Sequence, residues 1–157
     1  MVDEHISDNS VRGSVTAEPH YFSDRLRRKL ELMRAFSATV IEAPSGYGKT
    51  TAVRDYLEAS VTQNADVYWF TAVDEAPEAG FLRLCREIGK IDGRAGKRLL
   101  QTGFPNAFTL GEACDALRFI ACARETWLII DNFQCLCPGL PPAFLAALLE
   151  HGGAGLH

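Results

Sequence analysis

No run of about 18 apolar residues occurs anywhere in this chain, which excludes a membrane-spanning helix on sequence grounds. Positive charge is not in excess either. Sixteen Lys and Arg stand against 20 Asp and Glu, a formal net charge of −4. That balance gives no general electrostatic pull toward nucleic acid. Met1 to His20 is polar and acidic and lacks an apolar core, so it is no secretory signal and reads as a flexible leader. Metal-finger spacing is missing from the five cysteines, Cys85, Cys114, Cys122, Cys135 and Cys137. Cys135-Leu136-Cys137 is their one close pair, and free thiols in a reducing cytoplasm are the expectation. No internal repeat is present. His5, His20, His151 and His157 are scattered and receive no role. What is left is a chain of 157 residues, 47% hydrophobic and 23% charged, which suits one globular domain.

Within that domain, residues 43–51 carry the most chemistry: Ala-Pro-Ser-Gly-Tyr-Gly-Lys-Thr-Thr. They fit a phosphate-binding loop, with Ala43 in place of the first glycine and Gly48-Lys49-Thr50 closing the motif. Thr39-Val40-Ile41 before the loop is a β-branched run, so a strand is expected at 38–42. After it, residues 49–62 are expected to be helical, with Val53, Tyr56 and Leu57 on one face. Such a junction gathers backbone N–H groups and the positive end of a helix dipole around an anion. Ser45, Gly46, Tyr47 and Gly48 would form the cradle, and Gly46 and Gly48 can adopt positive φ. Lys49 would supply a mobile point charge for the β- and γ-phosphates. The Thr50 hydroxyl is a hard ligand suited to Mg²⁺, and Thr51 can reach an α-phosphate.

A second element lies about 80 residues on. Trp127-Leu128-Ile129-Ile130-Asp131 reads as a buried parallel strand ending in a carboxylate at an active-site edge. Asp131 there can hold Mg²⁺ with Thr50. Many ATPases with such a loop carry a second acid at the next position, where it prepares the attacking water. Here that position is Asn132, which accepts a hydrogen bond but cannot take a proton. Slow or absent hydrolysis is the expectation, unless Glu42, Asp74 or Glu125 is brought close by the fold.

The remaining pattern fills in the layers. Ser23 can cap a helix at 24–36 with Leu26, Leu30 and Met33 on one face. Arg25, Arg27, Arg28 and Lys29 on it read as a solvated face, with a nucleotide or partner contact as the alternative. A strand is expected at 67–71 and a helix at 78–90 burying Phe81, Leu82, Cys85 and Ile88. Residues 93–105 read as a glycine-rich loop with a short helix near 97–101. Thr109 to Glu112 has the form of a capping box, so a helix should start there and run to about Arg124. Its core face would be Leu117, Ile120 and Ala121. A last helix is expected at 138–151, with Gly152 to Gly155 as its terminator. Strands separated by helices mean a three-layer α/β fold with a parallel sheet, the ligand lying at the C-terminal edge of the strands.

Taken together, these stretches resemble the ATPase domain of large, MalT-like LuxR-type transcription regulators, a branch of the signal-transduction ATPases. The likeness rests on residues 43–51, on Tyr68 to Glu75 followed by Phe81, on Leu128 to Gln134, and on Arg25-Leu26, and spans roughly residues 20–150. An arginine common upstream of the loop in that family is absent here. The resemblance implies a P-loop NTPase fold, binding of ATP or ADP with Mg²⁺, slow hydrolysis, and a nucleotide-gated switch capable of self-association. It also implies later domains, among them a DNA-binding helix-turn-helix, for which residues 1–157 have no counterpart. Direct nucleic-acid binding by this chain is therefore not expected. In such ATPases a later strand lies between the loop strand and the Asp131 strand. No stretch after Asn132 resembles it, so residues 21–157 read as a partial domain whose sheet is incomplete at its centre. Two other functions stay open. One is a small P-loop kinase, with Arg83, Arg86, Arg94 and Lys97 as the available lid cations. The other is a non-catalytic interaction fragment.

Overall fold

The computed structural model describes residues 23–61, 64–150 and 155–157. The leader expected at 1–20 and the glycines at 152–153 lie outside them. Ser23 opens α1 (Asp24–Glu31), its hydroxyl accepting the Leu26 N–H at 3.3 Å, and a 3₁₀ turn (Leu32–Ala35) continues it. Leu30 and Met33 are buried, while Leu26 and the basic residues 25 and 27–29 face outward. Helix α2 (Lys49–Ser60) buries Val53, Tyr56 and Leu57, the face its periodicity marks. Then follow β1 (Asp66–Thr71), α3 (Pro77–Ile91), α4 (Gly93–Thr102), α5 (Leu110–Arg118), β2 (Thr126–Asp131), the short α6 (Phe133–Leu136) and α7 (Pro142–Glu150).

β1 and β2 pair in parallel, in register from Asp66 opposite Thr126 to Thr71 opposite Asp131. Side-chain alternation along the pair builds two cores. Val67, Trp69, Trp127 and Ile129 pack with Leu30, Met33, Val53, Tyr56 and Leu57 of the α1–α2 layer. Phe70, Leu128 and Ile130 pack with Phe81, Leu84, Ile88, Leu99, Leu117 and Phe144 of the α3–α7 layer. Within the second core, Phe81 meets Phe104 and Phe144 edge-on, with centroids 5.7 and 5.5 Å apart. The architecture is a three-layer α/β arrangement around a small parallel sheet.

Several expectations are corrected. Residues 38–42 form no strand; the segment is irregular, with Val40 73% and Ile41 40% exposed. A β-branched run becomes a strand only where a partner satisfies its backbone. Among the described residues, the lane beside β2 is occupied at one end, by residues 155–157, and Leu156 forms a parallel bridge to Thr126. Three bonds hold that end: Thr126 N–H to Gly155 C=O (2.7 Å), His157 N–H to Thr126 C=O (2.8 Å) and Leu128 N–H to His157 C=O (2.9 Å). The expected gap is present among the described residues, and His157, given no role from sequence, marks its entrance. Its ring stacks on Trp127 with centroids 4.7 Å apart, and its Nδ1 lies 3.0 Å from Phe36 C=O.

The glycine-rich stretch expected as loop is α4, a full helix. Gly96 sits against Gly89 of α3, and a Cβ at Gly96 would overlap Gly89 Cα and lie 2.7 Å from Gly89 N. These glycines permit close helix contact and do not break the helix. Asp92 caps α4 through Arg94 N–H (2.8 Å) and Ala95 N–H (3.2 Å), and its other oxygen accepts Ala121 N–H at 3.0 Å. That last bond captures a donor the extended α5 would have needed, and α5 ends at Arg118 rather than near Arg124. Ala121 is accordingly exposed, while Leu117 and Ile120 are buried as expected. The capping box also fails to close: Thr109 Oγ1 accepts Asn106 N–H at 3.1 Å, and Asn106 Oδ1 receives Phe108 and Thr109 N–H instead. Phe81, Cys85 and Ile88 of α3 are buried as expected; Leu82 is exposed, and Leu84 is buried in its stead.

Two outcomes test this packing. Gly96→Ala gains ~1 kcal/mol of helix propensity but loses about 1–3 kcal/mol to overpacking, so the urea midpoint should fall; an unchanged or higher midpoint would mean the helices are not in contact there. Burial opposes the charge on Asp92, but the N–H donors of Ala121, Ala95 and Arg94 outweigh it and hold its carboxyl below the usual range. A depressed carboxylate stabilises above its unfolded pKa and loses that effect as pH falls through the folded value. Asp92→Ala should therefore cost about 1–2 kcal/mol at pH 7, and the gap to the parent should narrow below about pH 4. A gap constant down to pH 2 would rule out the charged cap.

Candidate functional site

The loop between the irregular segment and α2 is built by two left-handed glycines. Gly46 has φ 80° and Gly48, the residue before α2, φ 70°. A side chain at either would be strained by the backbone whatever the space around it. Tyr47 N–H reaches Pro44 C=O at 3.4 Å, and Ala52 N–H starts the helix ladder on Gly48 C=O at 2.8 Å. Ser45, Gly46, Tyr47 and Gly48 are exposed in the turn; Lys49 and Thr50 are half-buried at the start of α2, and Thr51 is exposed. Lys49 Nζ donates to Ala43 C=O (2.6 Å) and Pro44 C=O (3.1 Å), which holds the ammonium against the loop.

The residue that sequence pairs with this loop is in place. Thr50 Oγ1 lies 3.0 and 3.2 Å from the two carboxylate oxygens of Asp131, at the C-terminal end of β2. A hydroxyl and a carboxylate at the N-terminus of a twelve-residue helix are the oxygen donors that a phosphate-bridged Mg²⁺ takes from protein. Among the described residues no group of three or more His, Cys, Asp or Glu could hold a metal ion. Any Mg²⁺ here would draw its remaining ligands from phosphate and water. The donor set fits that mode.

Asn132 has a structural reason beyond chemistry. It adopts the left-handed conformation (φ 55°, ψ 39°), which asparagine tolerates better than most residues. Its side-chain amide donates to Ala72 C=O at 3.4 Å, tying the ends of β2 and β1 together. None of the three substitute acids joins the pair. Glu125 precedes β2, at the end opposite Asp131. There it accepts Arg34 Nε and Nη2 at 3.0 Å each and Trp127 Nε1 at 3.1 Å. The Arg34 hydrogen bonds hold the Glu125 carboxyl below its usual range against the opposing effect of burial. Among the described residues no hydrogen bond links Glu42 or Asp74 to Thr50, Asp131 or Asn132.

Sequence reasoning missed two features. Arg83, a lid candidate, is drawn to the sheet edge: Nη2 donates to Thr71 C=O at 2.6 Å, Nε lies 3.0 Å from Glu75 Oε1, and the guanidinium covers the Phe70 ring. Nothing in its spacing predicts that. The other is a cleft of about 820 Å³ running from Lys49, Thr50 and Asp131 down to Phe36, Trp127 and His157. The cysteines are free. Burial pushes the Cys85 thiol up to about 12, so it stays protonated and fills core.

No family model, curated protein or solved structure gives a match to this chain.

The Thr50–Asp131 bond can be tested by itself. Thr50→Val keeps the shape and removes the hydroxyl, which should cost about 1 kcal/mol. A double-mutant cycle with Asp131→Ala in urea reads their coupling directly. Additive costs would mean the two side chains do not meet in solution.

Proposed function

We propose that this chain is a Mg·ATP-binding module with slow or absent hydrolysis. One observation carries the reading: the Thr50 hydroxyl, at the N-terminus of α2, meets the Asp131 carboxylate while Gly46 and Gly48 keep the preceding turn left-handed. The N–H groups of the turn and of the first helical residues would bind phosphate oxygens, favoured by the helix dipole. Lys49 would exchange its two loop carbonyls for β- and γ-phosphate oxygens. Thr50 and Asp131 would be the residues that hold a bound Mg²⁺, which would neutralise phosphate charge there.

Fast hydrolysis needs a group that orients or deprotonates the attacking water. Asn132 cannot take a proton and its amide is tied to Ala72 C=O, and Glu125 is engaged by Arg34 at the far end of β2. A bound nucleotide would therefore bias a conformation, within the limit of its differential affinity for the two states. On the resemblance of residues 43–51 and 128–134, we place this module in the ATPase region of a LuxR-type regulator.

The kinase alternative loses support from Arg83, whose guanidinium is held by Glu75 and Thr71. The interaction-fragment alternative draws support from the exposed Val40 and Ile41 beside the cleft.

A thermal scan separates these. Mg·ATP at about 100 times its dissociation constant stabilises by ~2.7 kcal/mol, a rise of roughly 5–10 °C for a chain of this size. Lys49→Ala should lose that rise, and phosphate release by the parent should not exceed that of the variant. A parent whose midpoint ignores nucleotide would leave the loop without a ligand and favour the interaction fragment. Phosphate transfer to an added metabolite would favour the kinase.

A further inference from the structure

β2 stops at Asp131 because the next residue turns left. Asn132 has φ 55°, the one positive φ outside glycine among the described residues. The turn sends the chain into α6, where Leu136 is buried and Phe133 packs against the α3–α7 core. A strand that ends this way loses its last rung. In a parallel pair, a residue whose N–H meets one partner carbonyl offers its own C=O to the N–H two residues further on. Ala72 N–H meets Asp131 C=O at 2.9 Å, so in a longer β2 the Ala72 C=O would accept the N–H of residue 133. The Asn132 side-chain amide takes that acceptor instead, at 3.4 Å. Ala72 is buried, where an unpaired acceptor is costly.

The same turn orients Asp131. The main-chain N–H of Asn132 points back to Asp131 Oδ1, 3.0 Å away. The other oxygen, Oδ2, lies nearer to Thr50 Oγ1, at 3.0 Å against 3.2 Å for Oδ1. Main chain and carboxylate of Asp131 are thus both tied, one to Ala72 and the other to the turn. The tie to the turn needs the left-handed backbone, and the amide bond to Ala72 holds that backbone in place. Aspartate at 132 would have the same shape and no donor. Its oxygen would face Ala72 C=O, acceptor against acceptor, and the turn would lose its anchor.

We propose that Asn132 is a positioning residue for the Mg²⁺ site. Its amide replaces the missing rung, fixes the turn, and so keeps Asp131 Oδ2 directed at Thr50, its partner as metal ligand. One side chain cannot do both tasks here: a carboxylate that could prepare water cannot donate to Ala72. The missing acid and the fixed metal ligand are then two sides of one arrangement. This inference rests on the Mg·ATP reading above.

The test compares the whole chain with Asn132→Gly and Asn132→Asp. Glycine keeps the left-handed backbone and removes the donor. Aspartate keeps the shape, removes the donor and supplies the acid. Without nucleotide, amide exchange at Ala72 is followed by NMR, and it should quicken at least about threefold in both variants. ATP affinity is then measured by calorimetry with saturating Mg²⁺ and with Mg²⁺ chelated. The gain in affinity from Mg²⁺ should shrink about fivefold in both variants, the Mg²⁺-free affinity should hold, and Asn132→Asp should release phosphate no faster than the parent. An unchanged Mg²⁺ gain in either variant would overturn the proposal, whatever the exchange shows. So would tighter Mg·ATP binding or faster hydrolysis by Asn132→Asp, since Asn132 would then be only a missing acid. A parent that ignores Mg·ATP would overturn the binding reading and this one together; a parent that binds and is matched by its variants would overturn this one alone.

Discussion

Parallel pairing between β1 and β2 is the constraint on which the rest of this molecule depends. Two strands that run parallel cannot be joined by a tight turn and must bury both faces. The chain meets the first demand with α3, α4 and α5 between them and the second with two separate apolar cores. The same pairing delivers Asp131 to the sheet edge, where Thr50 of α2 meets it from the other layer. Fold and candidate site thus share one element: β2 is at once the centre of both cores and the carrier of the site's carboxylate.

That element also explains where the structure is unfinished. One edge of β2 is fully paired, and among the described residues the other is paired only as far as Leu128. The remaining edge opens onto apolar walls, which leaves Val40 and Ile41 in solvent. Buried strands normally avoid such an edge because it templates pairing with another chain. The loop that precedes α2 hangs from the same unpaired segment, yet Gly46, Gly48 and the Lys49 contacts to Ala43 and Pro44 keep its shape. Local glycine geometry and one ammonium hold the loop where a paired strand would otherwise support it.

Much of the site was legible in the sequence, because its logic is local. Residues 43–51 encode a turn and a helix start, and an apolar run ending in Asp131 encodes a strand and its edge. The α2 face was legible for the same reason, a 3.6-residue period. What failed was non-local. The β-branched residues 39–41 signal a strand, but strand formation depends on a neighbour, and among the described residues the lane beside them is mostly open. Glycines 93 and 96 signal a loop, but α4 is capped by Asp92, and Gly96 meets Gly89 across a helix contact that no window of sequence reveals. Thr109 and Glu112 match a cap pattern, yet Asn106, three residues earlier, takes that role. Asn132 read as a missing acid; the structure adds that its left-handed backbone and its bond to Ala72 favour an amide there.

The central claim is that residues 45–50 bind phosphate through their own backbone. Amide hydrogen exchange across the chain, with and without saturating Mg·ATP, tests it most directly. The account predicts slowed exchange concentrated at Gly46, Tyr47, Gly48, Lys49 and Thr50, and absent when Mg²⁺ is chelated. Unchanged exchange in that loop, or protection confined to other segments, would contradict it.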